Sequence, residues 1–199
     1  MMVKDPMMAI KKSLENMNKS FCELSQKGYS EIEFLSKKKY LERPFAYEFY
    51  HQLRKLIDGG EVNFGGSIIQ AEVAKNYQRC FKNGKIPDFI IHVPNTSNNF
   101  AVIEFKLATN LDKIKDDFDK LAEFKKELKY KFAFEVIIGN ESSFESARQR
   151  IRQLNQSAGE NIIIIEFDTD SWKVKDYCIR YHSNNIPETR QFRGHNTEF

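Results

Sequence analysis

Apolar residues recur at helical spacing through the first part of the chain. Met8, Leu14, Met17, Phe21 and Leu24 would line one face of a helix over residues 5–27, which Gly28 stops. Ser30 followed three residues later by Glu33 has the form of a capping box and predicts a second helix as far as Glu42. Pro44, placed as a first-turn proline, opens a third helix with the stripe Phe45, Phe49, Leu53, Leu56 and Ile57, and Gly59-Gly60 closes it. From residue 67 the pattern changes to short extended runs: 67–73, 88–93 (DFIIHV) and 100–107 (FAVIEFKL), the last two joined by the turn-rich segment 94–99. Ile114, Phe118, Leu121 and Leu128 then mark an amphipathic helix over 111–128. An apolar strand follows at 132–138, closed by Gly139-Asn140, then a helix at 142–156 with Ser142 and Glu145 as its capping box. The run NIIIIEF at 161–167 is nearly all apolar, as expected of a strand with both faces covered. Residues 172–181 read as an edge strand or hairpin, and the polar residues from 183 onward as a frayed tail.

After residue 44 the order is therefore helix, three strands, helix, strand, helix, strand. This is an α/β pattern, and a mixed sheet flanked by helices is its natural architecture. The expected organisation is an N-terminal helical extension at 1–43, one domain at 44–182, and a polar tail at 183–199.

Composition narrows the picture by exclusion. With 199 residues, 41% apolar and 30% charged, the chain reads as an ordinary globular protein with one sizeable core. No apolar run approaches the roughly 20 residues that span a bilayer. The first twenty residues hold no continuous apolar stretch between their charges, so a signal peptide is not expected and the cytoplasm is the default location. Cys22, Cys80 and Cys178 are odd in number and far apart, which supports neither a disulfide framework nor a zinc knuckle. The net charge of +3 is compatible with nucleic acid without arguing for it.

The chemistry is concentrated in the hairpin. With its loop centred near Thr96, opposed residues have positions summing to 192, which sets Asp88 across from Glu104 and Ile90 across from Val102. Glu104 and Lys106 share a strand face, as do cross-strand partners. Two carboxylates and an ammonium thus converge at one end of an otherwise apolar hairpin. Charges buried in such a segment need a counter-ion or a metal. Oxygen donors without a cysteine or histidine set suit a hard cation such as Mg²⁺.

The string GKIPDFIIHV followed by AVIEFKL resembles the PD-(D/E)xK nuclease superfamily, as Pro87-Asp88 and then Glu104-Phe105-Lys106. The resemblance covers about residues 44–167 and implies the restriction-endonuclease-like αβββαβ core. It implies Mg²⁺-dependent hydrolysis of phosphodiester bonds, with Mn²⁺ as a substitute, in DNA ahead of RNA, as in restriction, repair and defence enzymes. Asp88, Glu104 and the main-chain carbonyl of Phe105 would hold the cation, and Lys106 would act on the attacking water or the phosphate. Relatives often supply a further acid from the helix before the sheet, and Glu48 fits that place. Many relatives cut both strands by pairing two subunits, so a homodimer is also in view.

Each residue has a plainer reading. Asp88 alone could be a turn residue after Pro87, and Glu104 with Lys106 a solvated pair on an edge strand. Glu48 could be a surface residue paired with Gln52 or Lys55. Glu72 is a weaker acidic candidate at the edge of the site. His51 and His92 receive no role. Lys37, Lys38, Lys39, Arg148, Arg150 and Arg152 read as solvated helix faces before they read as phosphate contacts, and Tyr47, Tyr50, Tyr77 and Phe81 as packing before base stacking. The alternative function is a nucleic-acid-binding or protein-interaction module on the same fold, without turnover.

Overall fold

The computed structural model describes residues 4–25, 38–73, 86–158, 160–181 and 187–191. Contacts divide the chain into two compact units, Met1–Asn63 and Phe64–Phe199. The boundary expected between residues 43 and 44 falls inside the first unit, because the third helix makes its contacts there.

In the first unit, α1 spans Pro6–Glu15, with Asp5 capping it by accepting from Met7 N at 2.9 Å. The single helix expected over 5–27 is broken. Asn18 accepts from Ser20 N and starts the separate short helix α2 (Lys19–Cys22), and the chain then turns into strand β1 (Glu23–Ser25). α1 has already ended at Asn16, whose N–H donates to Lys12 O at 3.0 Å, and an Asn side chain offering the backbone an acceptor two residues later starts a new helix, which hydrophobic periodicity does not register. β1 pairs antiparallel with β2 (Lys38–Tyr40), where a helix to Glu42 was expected. The Ser30–Glu33 capping box and Gly28 lie outside the described residues. Helix α3 (Glu42–Asp58) buries Phe45, Phe49, Leu53 and Leu56, the expected stripe, and closes at Gly59.

The second unit is built on one seven-stranded sheet, in the order β3 (Ile68–Ala71), β4 (Phe89–His92), β5 (Asn99–Leu107), β6 (Phe132–Gly139), β7 (Ile162–Asp168), β8 (Lys173–Tyr181), β9 (Pro187–Gln191). β3, β4 and β5 pair antiparallel in succession, β5, β6 and β7 run parallel, and β8 and β9 each pair antiparallel with the strand before. The α/β mixed sheet read from the sequence is therefore present. Two corrections concern its far end. β8 is not an edge, since β9 pairs with it, and residues 187–191 form a strand where a frayed tail was expected.

The parallel steps are made by helices. A 3₁₀ turn at Leu111–Lys113 leads into α4 (Ile114–Leu128) between β5 and β6, and α5 (Glu141–Ala158) joins β6 to β7. Successive right-handed crossovers moving one way along a sheet set both helices on one face. Ile90, Val102, Ala133, Ile137 and Ile164 of that face form one core cluster with Phe118, Leu121, Phe124, Phe144 and Ile151 of the helices. Each large side chain so buried contributes about 1.5–3 kcal/mol. The opposite face, with Phe89, Ile103, Phe105, Phe134 and Ile165, is buried as well, which explains the nearly continuous apolar runs of the central strands. The cap of α5 is Asn140, whose Oδ1 accepts from Ser143 N at 3.1 Å, and not Ser142 as the capping-box pattern indicated.

Candidate active site

The register of the hairpin decides what meets at its end. Phe89 pairs with Ile103, Ile90 with Val102 and Ile91 with Ala101, all summing to 192 as the loop position requires. The ladder slips by one residue only toward the turn, where His92 pairs with Asn99. Asp88 lies one residue outside β4, in line with Glu104. Its carboxylate accepts the main-chain N–H of Phe105 at 2.7 Å, so it continues the ladder by a side chain where the strand has ended. The N–H and C=O of one strand residue point to the same side, so the Phe105 carbonyl is directed to the edge that holds Asp88.

Glu104 and Lys106 are 2% and 6% exposed, so the plainer reading of a solvated edge pair does not hold. Their face is the one covered by α4, and that helix supplies the partners. Lys106 Nζ lies 2.8 Å from Asp117 Oδ2. Lys120 Nζ lies 2.8 Å from Glu104 Oε2 and 3.3 Å from Asp117 Oδ1, one turn apart on α4. Asp117 is buried among Ile114, Phe118 and Leu121, on the apolar side of its helix. Glu135 completes the group. It is the parallel-register neighbour of Glu104, is fully buried, and among the described residues neither of its carboxyl oxygens has a hydrogen-bond partner; Glu104 Oε1 also lacks one there.

Four carboxyl groups (Asp88, Glu104, Asp117, Glu135) thus share a largely buried region with two ammonium groups (Lys106, Lys120). The electrostatics follow. Burial first, and then the charge of Asp88, push the Glu104 carboxyl well above the usual carboxylate range, with Lys120 pulling the other way. Glu135 is also pushed well up, by burial and then by Asp117 and Glu104, against the pull of Lys106. Burial works against the Lys120 ammonium, but Glu104 and Asp117 more than offset it and hold its pKa above the ordinary lysine value.

A hard cation fits the donor chemistry: the donors are oxygens, the acids outnumber the bases, and buried Glu104 and Glu135 oxygens are orphaned. Among the described residues, however, no three Asp, Glu, His or Cys side chains converge on one ion position. A cation here would therefore draw on main-chain oxygen and water besides the carboxylates.

The remaining candidates are distributed elsewhere. Glu48 belongs to α3 of the first unit, where its Oε1 accepts from Asn18 N at 3.1 Å and Gln52 Nε2 at 2.7 Å. Glu72 is exposed at a positive φ of 47°, and only its main chain bears on the site, by donating to Asp88 O at 3.0 Å. His92 is buried, with Nε2 2.6 Å from Gln70 Oε1, and His51 is exposed on α3. Arg148 is committed to two carboxylates. It engages Glu166 through Nε at 2.7 Å and through a second contact from Nη2, and reaches Glu141 at 2.8 Å. Tyr47 is exposed and Tyr50 half-buried on α3. Tyr77, Phe81, Lys37 and the side chains of Lys38, Lys39, Arg150 and Arg152 lie outside the described residues.

Sequence reasoning missed Asp117, Lys120 and Glu135. Glu135 interrupts FAFEVII just as Glu104 interrupts AVIEFKL, so the signal was present. Asp117 and Lys120 carried none, because charges on an amphipathic helix are ordinarily solvated. Compared with family models, with curated proteins and with solved structures, the chain returns no match.

Proposed function

We propose that the second unit is a Mg²⁺-dependent nuclease that hydrolyses phosphodiester bonds in DNA, on a restriction-endonuclease-like αβββαβ core. The observation that carries this reading is the acid-rich end of the β4–β5 hairpin: Asp88 bound to Phe105 N, beside a Glu104 whose second oxygen has no partner among the described residues. Within the second unit the order β3, β4, β5, α4, β6 agrees with the βββαβ part of that core, and the helix that precedes it in the chain, α3, belongs to the first unit. Asp88, Glu104 and the Phe105 carbonyl would hold the cation, Mn²⁺ serving in place of Mg²⁺; Glu48, held by Asn18 and Gln52 within the first unit, is left out of this site. When bound, the cation supplies charge stabilisation at the phosphate and makes water a stronger acid.

The chain's own residues do the rest. Asp88, fixed by the Phe105 N–H, presents its carboxylate without having to reorganise. Lys106 carries positive charge toward the phosphate, and its stabilisation grows as negative charge develops there, which raises rate more than affinity. Asp117 orients that ammonium.

The test is incubation with circular and linear DNA, with and without Mg²⁺ or Mn²⁺, alongside Asp88→Ala and Lys106→Ala. Cation-dependent cleavage lost in both variants is the expected result, and cutting of the circle assigns endonucleolytic action. Wild-type protein that cleaves neither DNA nor RNA would overturn turnover and leave the binding or interaction module.

A further inference from the structure

The two lysines of the cluster are not equivalent. Lys106, the lysine of the strand motif, is directed to Asp117, with its side chain 7% exposed. The ammonium on Glu104 is that of Lys120, from α4, at 2.8 Å and with a side chain 18% exposed. An ammonium has three N–H donors. Lys120 has three acceptors within reach: Glu104 Oε2, Asp117 Oδ1 at 3.3 Å, and the main-chain oxygen of Ile86 at 3.4 Å. Ile86 is two residues before Asp88, so one side chain ties α4 to the carboxylate of β5 and to the chain entering β4.

From this we infer that Lys120 is a clasp that competes with a divalent cation for Glu104 and so sets the cation affinity of the centre. The inference rests on the proposed cation site at Asp88 and Glu104. A cation taking up Glu104 must share the carboxylate with a like charge in contact with it, or displace that charge. Repulsion between like charges at such a distance, away from bulk water, is large enough to dominate the binding balance. Displacement is feasible because Lys120 is the more exposed of the two lysines and its four-carbon stem is flexible. Asp117 remains as its alternative partner. Lys120 is thus a positioning residue, acting on the cation through Glu104.

The experiment is calorimetric titration of the full chain with Mg²⁺, comparing wild type, Lys120→Gln, Lys120→Arg and Asp88→Ala. Removing the competing charge in Lys120→Gln should tighten Mg²⁺ binding about tenfold. Lys120→Arg, which keeps the charge, should stay close to wild type, and Asp88→Ala should lose binding. Affinity unchanged or weakened in Lys120→Gln, with wild type binding and Asp88→Ala not, overturns the clasp alone. Titration in which neither wild type nor Lys120→Gln binds overturns the cation site and the clasp with it. Should Lys120→Gln fail to fold, wild-type protein carrying ¹³C-labelled lysine decides the matter by NMR. The Lys120 side-chain resonance, assigned by its loss in Lys120→Arg, should move on adding Mg²⁺, and a resonance that stays in place while Mg²⁺ binds overturns the clasp.

Discussion

Glu104 and Glu135 are direct register partners on adjacent parallel strands, and both carboxyl groups are buried beneath the same helix. Like charges side by side cost stability, and the two lysines of the cluster do not relieve the two acids equally. Glu104 has Lys120 on one oxygen, whereas Glu135 has no hydrogen-bond partner on either among the described residues.

Glu135 therefore makes the protein more stable in acid. In chelator-treated protein its folded pKa lies above the unfolded value. Below the unfolded pKa both states hold the proton, and Glu135 exacts no ionisation cost. As pH rises above that value the unfolded chain ionises freely while the folded chain keeps its proton, and stability falls until the folded pKa is passed. Glu135→Gln, which has nothing to ionise, should raise stability at pH 8 by about 1–3 kcal/mol, since each tenfold suppression of ionisation in the folded state is worth about 1.4 kcal/mol. The gain should shrink toward pH 5. Urea melts at the two pH values measure it, and a variant no more stable than wild type at pH 8 would count against the assignment.

On the proposed nuclease reading, Lys106→Met should lower DNA cleavage by at least about a hundredfold, the scale of losing one preorganised electrostatic group. DNA affinity should change far less, because phosphate contacts are spread over many basic residues. Single-turnover rates and filter-binding affinities separate the two effects. Cleavage at the wild-type rate would refute the role of Lys106.

Arg148→Met removes a charged partner of Glu166, which is 2% exposed. Breaking this largely buried ion pair should cost up to about 3–5 kcal/mol, measured by denaturant unfolding. Adding Glu166→Gln should recover part of the loss. Equal destabilisation in the single and double variants would show that the pair is not what holds α5 to β7.

Cys22 should be inert. Its thiol is pushed up to about 12, by burial and then by the charge of Glu48. Alkylation at pH 8, in protein with Cys80 and Cys178 changed to Ser, should run at least about a hundredfold slower than for an exposed thiol. Modification at the free-thiol rate would show that the α1–α3 unit opens readily.

Local pattern by itself determined the strands of the hairpin, their register, the helices α3, α4 and α5, and the strand carrying NIIIIEF. Both faces of these strands are apolar, so the hydrophobic pattern leaves the register open, and it was the position of the turn near Thr96 that set which side chains are opposed. That logic set Asp88 in line with Glu104. The sequence also marked Glu104 and Lys106 as charges in apolar surroundings. What it did not determine is what those charges touch. α4 crosses the sheet with Asp117 and Lys120 on its inner side, and β6 lies parallel to β5 with Glu135 abreast of Glu104. Both relationships join residues far apart in the chain and depend on how helix and strand pack. Periodicity within one element cannot encode them. The ends of elements also escaped pattern reading wherever a side chain competed with the backbone, as at Asn18 and Asn140, or where pairing with a distant strand overrode local preference, as at β2 and β9.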